Sequence, residues 1–346
     1  MGAAEAIQKA MISVFKLLPD GMLYKLSGEP PIVIRGRTLD PMMQVMWVQG
    51  KKQPAMTVLT PQDARAGMNQ ALAAAQMKPR VMQEIIDREI PGPAGMIPVR
   101  VYVPPGLSEG APVMVYFHQG GCVIGDVDTC HPFCTHLADE ARCIVVNVEY
   151  RMAPEDKFPA AVDDAIAAYA WATKSADEYG GDPKRVGVGG DSAGGMLSAV
   201  ITHAMKREGG QQPVLQMLLY PWLAGRGEFP SFKDFGDCYP LNQELMDWFG
   251  GYYFGNDADR DDWRASPLHE ADFCGLAPAI VATAGFDPLT DEGEAYANKL
   301  EAAGVPVKFT CYEGLTHSFT ALGGACPTAA RACHEVIAQA RSILGS

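Results

Sequence analysis

The sequence predicts an α/β fold: a mostly parallel sheet with helices on both faces, overlaid by a helical cap. Three observations predict it. From about residue 81 onward, short β-branched apolar runs alternate with helix-forming stretches, the texture of strands buried on both faces and joined by crossover helices. Before that point the chain is helix-prone, rich in Met and Ala, and interrupted by Pro30, Pro31, Pro41, Pro54 and Pro61. Between the apolar runs Leu215–Tyr220 and Ala279–Ala284 lie about sixty residues, far more than a connection needs. The chain therefore divides into an N-terminal helical cap (1–80), a first core segment (81–221), a second cap segment (222–268) and a second core segment (269–346).

Composition narrows the class. A chain of 346 residues is ample for a well-buried core. Its net charge of −13 speaks against nucleic acid and anionic membranes as partners. Nine cysteines, an odd number with no C-x-x-C pair, read as reduced thiols in a cytoplasm rather than as a disulfide framework. Cys130, His131, Cys134 and His136 cluster in sequence, yet no second ligand group follows at metal spacing. A buried helix is the expected reading there, with no metal.

The elements follow in order. Residues from Met1 to Leu18 place Ile7, Met11, Val14, Phe15 and Leu18 at helical spacing, an amphipathic helix expected to pack as a lid. It lacks a continuous apolar core and a cleavage site, so secretion is not expected, and no other segment is apolar enough for a bilayer span. Thr60 caps a helix opened by Pro61 and continued by Ala64–Met77. Val81–Ile90 and Ile97–Val103 flank a Pro-Gly turn, a hairpin that opens the sheet. Val113–Phe117 and Cys143–Val148 are buried strands, followed by helices over Ala160–Ser175 and Met196–Lys206. The long insertion is rich in aromatics and holds a helix over Leu241–Tyr253. Val307–Tyr312 is the last strand and Pro327–Leu344 the last helix.

Chemistry concentrates at Val186–Gly195. A β-branched run climbs to Gly190-Asp191-Ser192-Ala193-Gly194-Gly195 and continues as an apolar helix, so Ser192 sits on a strand–turn–helix bend too tight for neighbouring Cβ atoms. A serine hydroxyl needs a positioned imidazole to take its proton. Of seven histidines, His317 lies in a loop directly after the last strand, where an open α/β sheet gathers its site. Asp287, at the carboxyl end of the Ala279–Ala284 strand, is the candidate acid, although Asp-Pro is also how a helix begins. Asp291, one turn on, is the competitor and reads as a first-turn acid. Asp191 adjoins the serine, so its side chain should diverge from it. Ala193 and the glycine loop Phe117–Cys122 offer backbone N–H groups for a developing oxyanion. The order Ser192, Asp287, His317 is that of α/β-hydrolases.

Four motifs together resemble the bacterial hormone-sensitive-lipase family of esterases: His118-Gln119-Gly120-Gly121, Glu149-Tyr150-Arg151-Met152-Ala153-Pro154-Glu155, Gly190–Gly195, and Asp287-Pro288-Leu289 with Asp291-Glu292-Gly293. The similarity runs from about Thr38 to the end. It implies an α/β-hydrolase fold with an eight-stranded sheet. It also implies a carboxylic-ester hydrolase working through an acyl-enzyme, with Ser192 as nucleophile, His317 as base, Asp287 as orienting acid and Gly120, Gly121 and Ala193 as oxyanion donors. No cofactor or metal is implied. The substrates expected are small esters of short-to-medium acids, with Met246 and Trp248 as pocket walls. A homodimer through Val307–Tyr312 and Pro327–Leu344 follows the family's habit. Gln119 departs from the family's glycine, leaving open whether its side chain enters the site or meets solvent. Arg151 and Glu155 are expected to form a bracing ion pair. Amide or lactone cleavage by the same residues, and non-catalytic binding as in the resembling plant gibberellin receptors, are the alternatives.

Overall fold

Side-chain alternation on the central strands builds the molecule. The computed structural model describes residues 3–345; Met1, Gly2, Ser346 and the side chains of Ala3, Ala4, Glu5 and Ile7, the last of them part of the apolar stripe expected at the N-terminus, lie outside the described residues. The N-terminal part, expected to be the first cap segment, runs through α1 (Ala3–Phe15), α2 (Asp20–Ser27), the two-residue strands β1 (Val33–Ile34) and β2 (Arg37–Thr38), α3 (Pro41–Gly50) and α4 (Pro61–Leu72). Asp40 caps α3 by accepting from the Met42 and Met43 N–H groups, and Thr60 caps α4 by accepting from that of Asp63. The β1–β2 hairpin was not visible in the sequence, because its turn residues Arg35 and Gly36 both take positive φ without an Asn-Gly signature. Helix α4 ends five residues before the expected Met77, since the Ala75 carbonyl leaves the helix to accept from the Ala325 N–H.

The core contains β3 (Glu84–Gly92), β4 (Gly95–Val103), β5 (Ala111–Phe117), α5 (His131–Ala141), β6 (Ile144–Val148), α6 (Ala160–Ser175), β7 (Gly181–Asp191), α7 (Ala193–Glu208) and β8 (Gln216–Leu219). The insertion then makes α8 (Pro230–Asp234) and α9 (Gln243–Tyr253), before β9 (Ala279–Phe286), α10 (Thr290–Ala302), β10 (Val307–Thr316) and α11 (Pro327–Leu344) close the chain. The eight long strands form one sheet in the order β10-β9-β8-β7-β5-β6-β4-β3. Only β3 and β4 run antiparallel to their neighbours.

On β5, Met114 and Tyr116 enter the apolar cluster under α5 and α11, whereas Val113, Val115 and Phe117 enter the one under α6 and α7. That period of two, repeated along β7 to β9, covers both sheet faces with helices. Parallel strands then deliver their carboxyl ends, and the loops that follow, to one edge of the sheet.

One guanidinium bridges three parts of the chain. Arg35 in the β1–β2 turn bonds Asp234 at the end of α8 at 2.6 Å and Asp291 on α10 at 2.7 Å. A single side chain thus joins both cap segments to the core.

Candidate active site

The bend after β7 places Ser192 with φ 56° and ψ −115°, a backbone conformation that a non-glycine residue holds only when its surroundings impose it. The surroundings here are backbone. A Cβ on Gly194 would stand 1.9 Å from the Phe117 carbonyl oxygen, and one on Gly190 would stand 2.4 Å from Gly194. The Ser192 N–H is spent on the Leu219 carbonyl at 2.9 Å, fixing the bend to β8.

His317 and Asp287 converge on this serine from the ends of β10 and β9. His317 Nε2 lies 2.9 Å from Ser192 Oγ, and His317 Nδ1 lies 2.7 Å from Asp287 Oδ2. A carboxylate accepts, so Nδ1 carries the proton and the Nε2 lone pair faces the hydroxyl. Asp287 is fully buried and its second oxygen accepts from the Leu289 N–H at 2.9 Å. It therefore starts the turn into α10 and addresses the imidazole at once. Asp291 points elsewhere, bonding Arg35 and accepting from the Ser231 N–H at 2.8 Å. Asp191 diverges from Ser192 and accepts from Tyr220 Oη at 3.0 Å and Thr320 Oγ1 at 3.2 Å. Tyr220 also packs edge-on against the His317 ring at 4.8 Å, so the elbow's acid supports the imidazole through a tyrosine.

Three backbone donors near the serine are unpartnered. Among the described residues, the N–H groups of Gly120, Gly121 and Ala193 have no hydrogen-bond partner, and Ala193 opens α7, whose first N–H groups have none by construction. The glycine loop is held by the Val123 and Ile124 N–H groups, which donate to Gly120 O at 3.0 and 2.9 Å. Gly120 adopts φ 127° against Ile124, and Gly121 adopts φ 61° directly under the Phe249 ring of α9. His118 is buried and braces the loop, its Nδ1 lying 2.8 Å from Gln119 O while Tyr150 Oη donates to its carbonyl at 2.7 Å. Burial holds its imidazole pKa below the ordinary value.

Gln119 turns inward. It is 4 % exposed and its Oε1 accepts from Ser318 Oγ at 2.5 Å, which links the glycine loop to the residue after His317. Two cavities open on Ser192. The larger, about 520 Å³, is walled by Met43, Met68 and Leu72 from the first cap segment together with Gln119 and His317. The smaller, about 270 Å³, is walled by Trp222, Met246, Leu289 and the charged Arg226, Asp257 and Arg260. Phe249 and Leu241 border both. Trp248 lines neither: Leu245, Met246 and Phe249 take the site-facing phase of α9, and Trp248 stacks edge-on with Phe249 and Tyr252 instead. The sequence missed Phe249 and the methionines of α3 and α4 because an apolar helical residue carries no mark of which cavity it will face.

The expected Arg151–Glu155 ion pair is absent. Arg151 bonds the buried Asp164 of α6 at 2.8 Å, and Glu155 is taken by Arg65 of α4 at 2.8 Å. A buried carboxylate demands a charged partner more strongly than an exposed one, and Asp164 wins the arginine. Arg65 also donates to the carbonyls of Val123 and Ala153. Glu149 accepts from the Val127 N–H at 2.7 Å, and burial pushes its carboxyl pKa up to about 7. The Cys130–His136 stretch opens α5 and disperses: Cys130 and Cys134 face the core with sulfurs 3.8 Å apart, while His131 meets Tyr102. His136 instead joins Glu140 and His334, a carboxylate that Arg80 also bonds. All nine cysteines are free thiols.

Known proteins share this fold. A family model described as the α/β hydrolase fold matches residues 114–321. The carboxylic ester hydrolase LipN of Mycobacterium tuberculosis is 40% identical over 342 residues, covering 96% of this chain and 90% of that protein. The ethyl acetate hydrolase of Pseudomonas putida is 39% identical over 233 residues, 66% of this chain and 72% of that one. Among solved structures, an ester hydrolase from the metagenome of Lake Arreo, bound to a bipyridine phosphonate derivative, superposes with a TM-score of 0.84 at 34% identity, covering 95% of this chain and 100% of that one. The chain belongs to the α/β-hydrolase family, in its hormone-sensitive-lipase-like branch of carboxylic ester hydrolases.

Proposed function

We propose that the protein hydrolyses carboxylic esters through an acyl-enzyme, with Ser192 as nucleophile, His317 as general base and then acid, and Asp287 as the orienting carboxylate. The observation that carries this reading is the unbroken line of hydrogen bonds Ser192–His317–Asp287 beside three unpartnered backbone N–H groups. Ser192 Oγ attacks the ester carbonyl as its proton passes to His317 Nε2. The carbonyl oxygen, now negative, takes the N–H groups of Gly120, Gly121 and Ala193. The carbon–alkoxy bond breaks as His317 returns the proton to the leaving oxygen. Water, deprotonated by the same imidazole, then attacks the acyl-serine, and the imidazolium returns that proton to Ser192 Oγ as the acid leaves. Every proton in this cycle is handled by the chain's own residues.

The named ester hydrolases among the relatives support this chemistry, and the two cap segments, residues 1–80 and 222–268, supply the walls that suit small esters of short-to-medium acids. Nine free thiols favour a reducing, cytoplasmic setting; among the described residues no helix is long and apolar enough to cross a membrane. The outer edge of β10, with α11 beside it, is the surface on which a homodimer would form. Ser192→Ala is expected to lower ester hydrolysis by about 10³-fold or more, and an organophosphate should label wild type once, at Ser192. Ester turnover surviving in Ser192→Ala at the wild-type rate refutes the assignment. Matched amide and lactone substrates separate the neighbouring acyl-transfer activities.

A further inference from the structure

We infer that the site is built for esters of a short acid with a larger apolar alcohol: the large cavity on the His317 side of Ser192 receives the alcohol, and the small one receives the acyl chain. The inference rests on the ester-hydrolase reading above and adds the orientation of the substrate. It follows from where protons and charge must go. The tetrahedral carbon formed on Ser192 Oγ has three other substituents. Its oxyanion is committed to the N–H groups of Gly120, Gly121 and Ala193. The alkoxy oxygen must lie within hydrogen-bond reach of His317 Nε2, because that atom supplies the proton as the carbon–oxygen bond breaks. The acyl chain takes the remaining direction, away from the imidazole. Of the two cavities that open on Ser192, His317 lines the larger and not the smaller.

The walls differ as the two roles require. The alcohol side is about 520 Å³ and carries Met43, Met46, Met68 and Leu72; methionine adapts its shape to irregular apolar partners. The acyl side is about 270 Å³ and closes on Trp222 and Met246. Arg226 and Asp257, paired at 2.7 Å, and Arg260, 3.5 Å from Asp257, form the charged part of the same wall. A chain longer than a few carbons would lie against that charged wall instead of apolar surface, and so gains little from burial there. Phe249 divides the chambers, seated on Gly121.

Two isomeric esters test the orientation with overall hydrophobicity held constant. Hexyl acetate and ethyl hexanoate share one formula and differ only in which side of the carbonyl carries the long chain. Wild type is expected to favour hexyl acetate in kcat/KM by about tenfold or more. Leu72→Trp should lower the hexyl acetate to ethyl acetate ratio, and Met246→Trp should lower the ethyl butanoate to ethyl acetate ratio. Equal rates for the isomers, or a preference for ethyl hexanoate, overturn the orientation while leaving ester hydrolysis standing. Failure to hydrolyse any of these esters, ethyl acetate included, removes the function itself and this inference with it.

Discussion

The elbow and the cap are built on opposite terms. Around Ser192 the contacts are backbone against backbone: Gly190, Gly194 and the Phe117 carbonyl leave no room for a single carbon. Around the cavities they are side chain against side chain, with methionines, Leu72 and Phe249 forming walls that different residues could replace. Chemistry has been fixed where the chain cannot yield, and substrate choice where it can.

Disturbing the rigid side should cost the most. Gly194→Ala forces a Cβ into the Phe117 carbonyl, and the expected outcome is a loss of about 3 kcal/mol or more of stability together with esterase activity, read from denaturant unfolding. Gly121→Ala meets both a positive φ and the Phe249 ring. It should lower kcat by about 10²–10³-fold, and Phe249→Ala in the same chain should recover part of it; no recovery would mean that backbone angle alone is limiting.

Glu149 tests the core loop through pH. Its folded pKa of about 7 lies above the ordinary 4.5, so the folded state holds the proton more tightly than the unfolded state does. Stability is therefore full below about pH 4.5 and falls as pH rises toward 7, by roughly 3 kcal/mol. Thermal unfolding of Glu149→Gln across this range should lack that decline. A wild-type curve that is flat there would contradict the burial argument. The smallest effect concerns the link between the two loops. Gln119→Ala and Ser318→Ala should each lower kcat a few-fold, and the double variant no further than either alone, for a coupling of about 0.5–1.5 kcal/mol. Additive losses would break the link.

The same contrast explains what could be read from the sequence. The alternation of strands and helices, the elbow and the line from Ser192 to Asp287 were legible because glycines, a β-branched run and a loop histidine leave few alternatives. Asp287 illustrates the strength of that logic: one oxygen meets the imidazole as expected, while the other accepts from the Leu289 N–H in a turn ahead of α10 rather than capping that helix. Trp248 illustrates the limit, since a one-residue difference in helical phase separates it from Phe249. Arg151 and Glu155 were misread because the partners that claimed them, Asp164 and Arg65, are distant in sequence or unmarked. Gln119 could be seen as a departure, but only the fold brings Ser318 to it.

The seating of Phe249 on Gly121 has a consequence for anyone wishing to redesign the enzyme. One aromatic ring serves as the partition between chambers and as the roof of the Gly120–Gly121 loop. Enlarging the smaller chamber by trimming that ring would also unweight the loop proposed to hold the charge. Selectivity and turnover are thus inherited together at position 249. A library built there should trace a trade-off curve, whereas one built at Met246 can move selectivity alone.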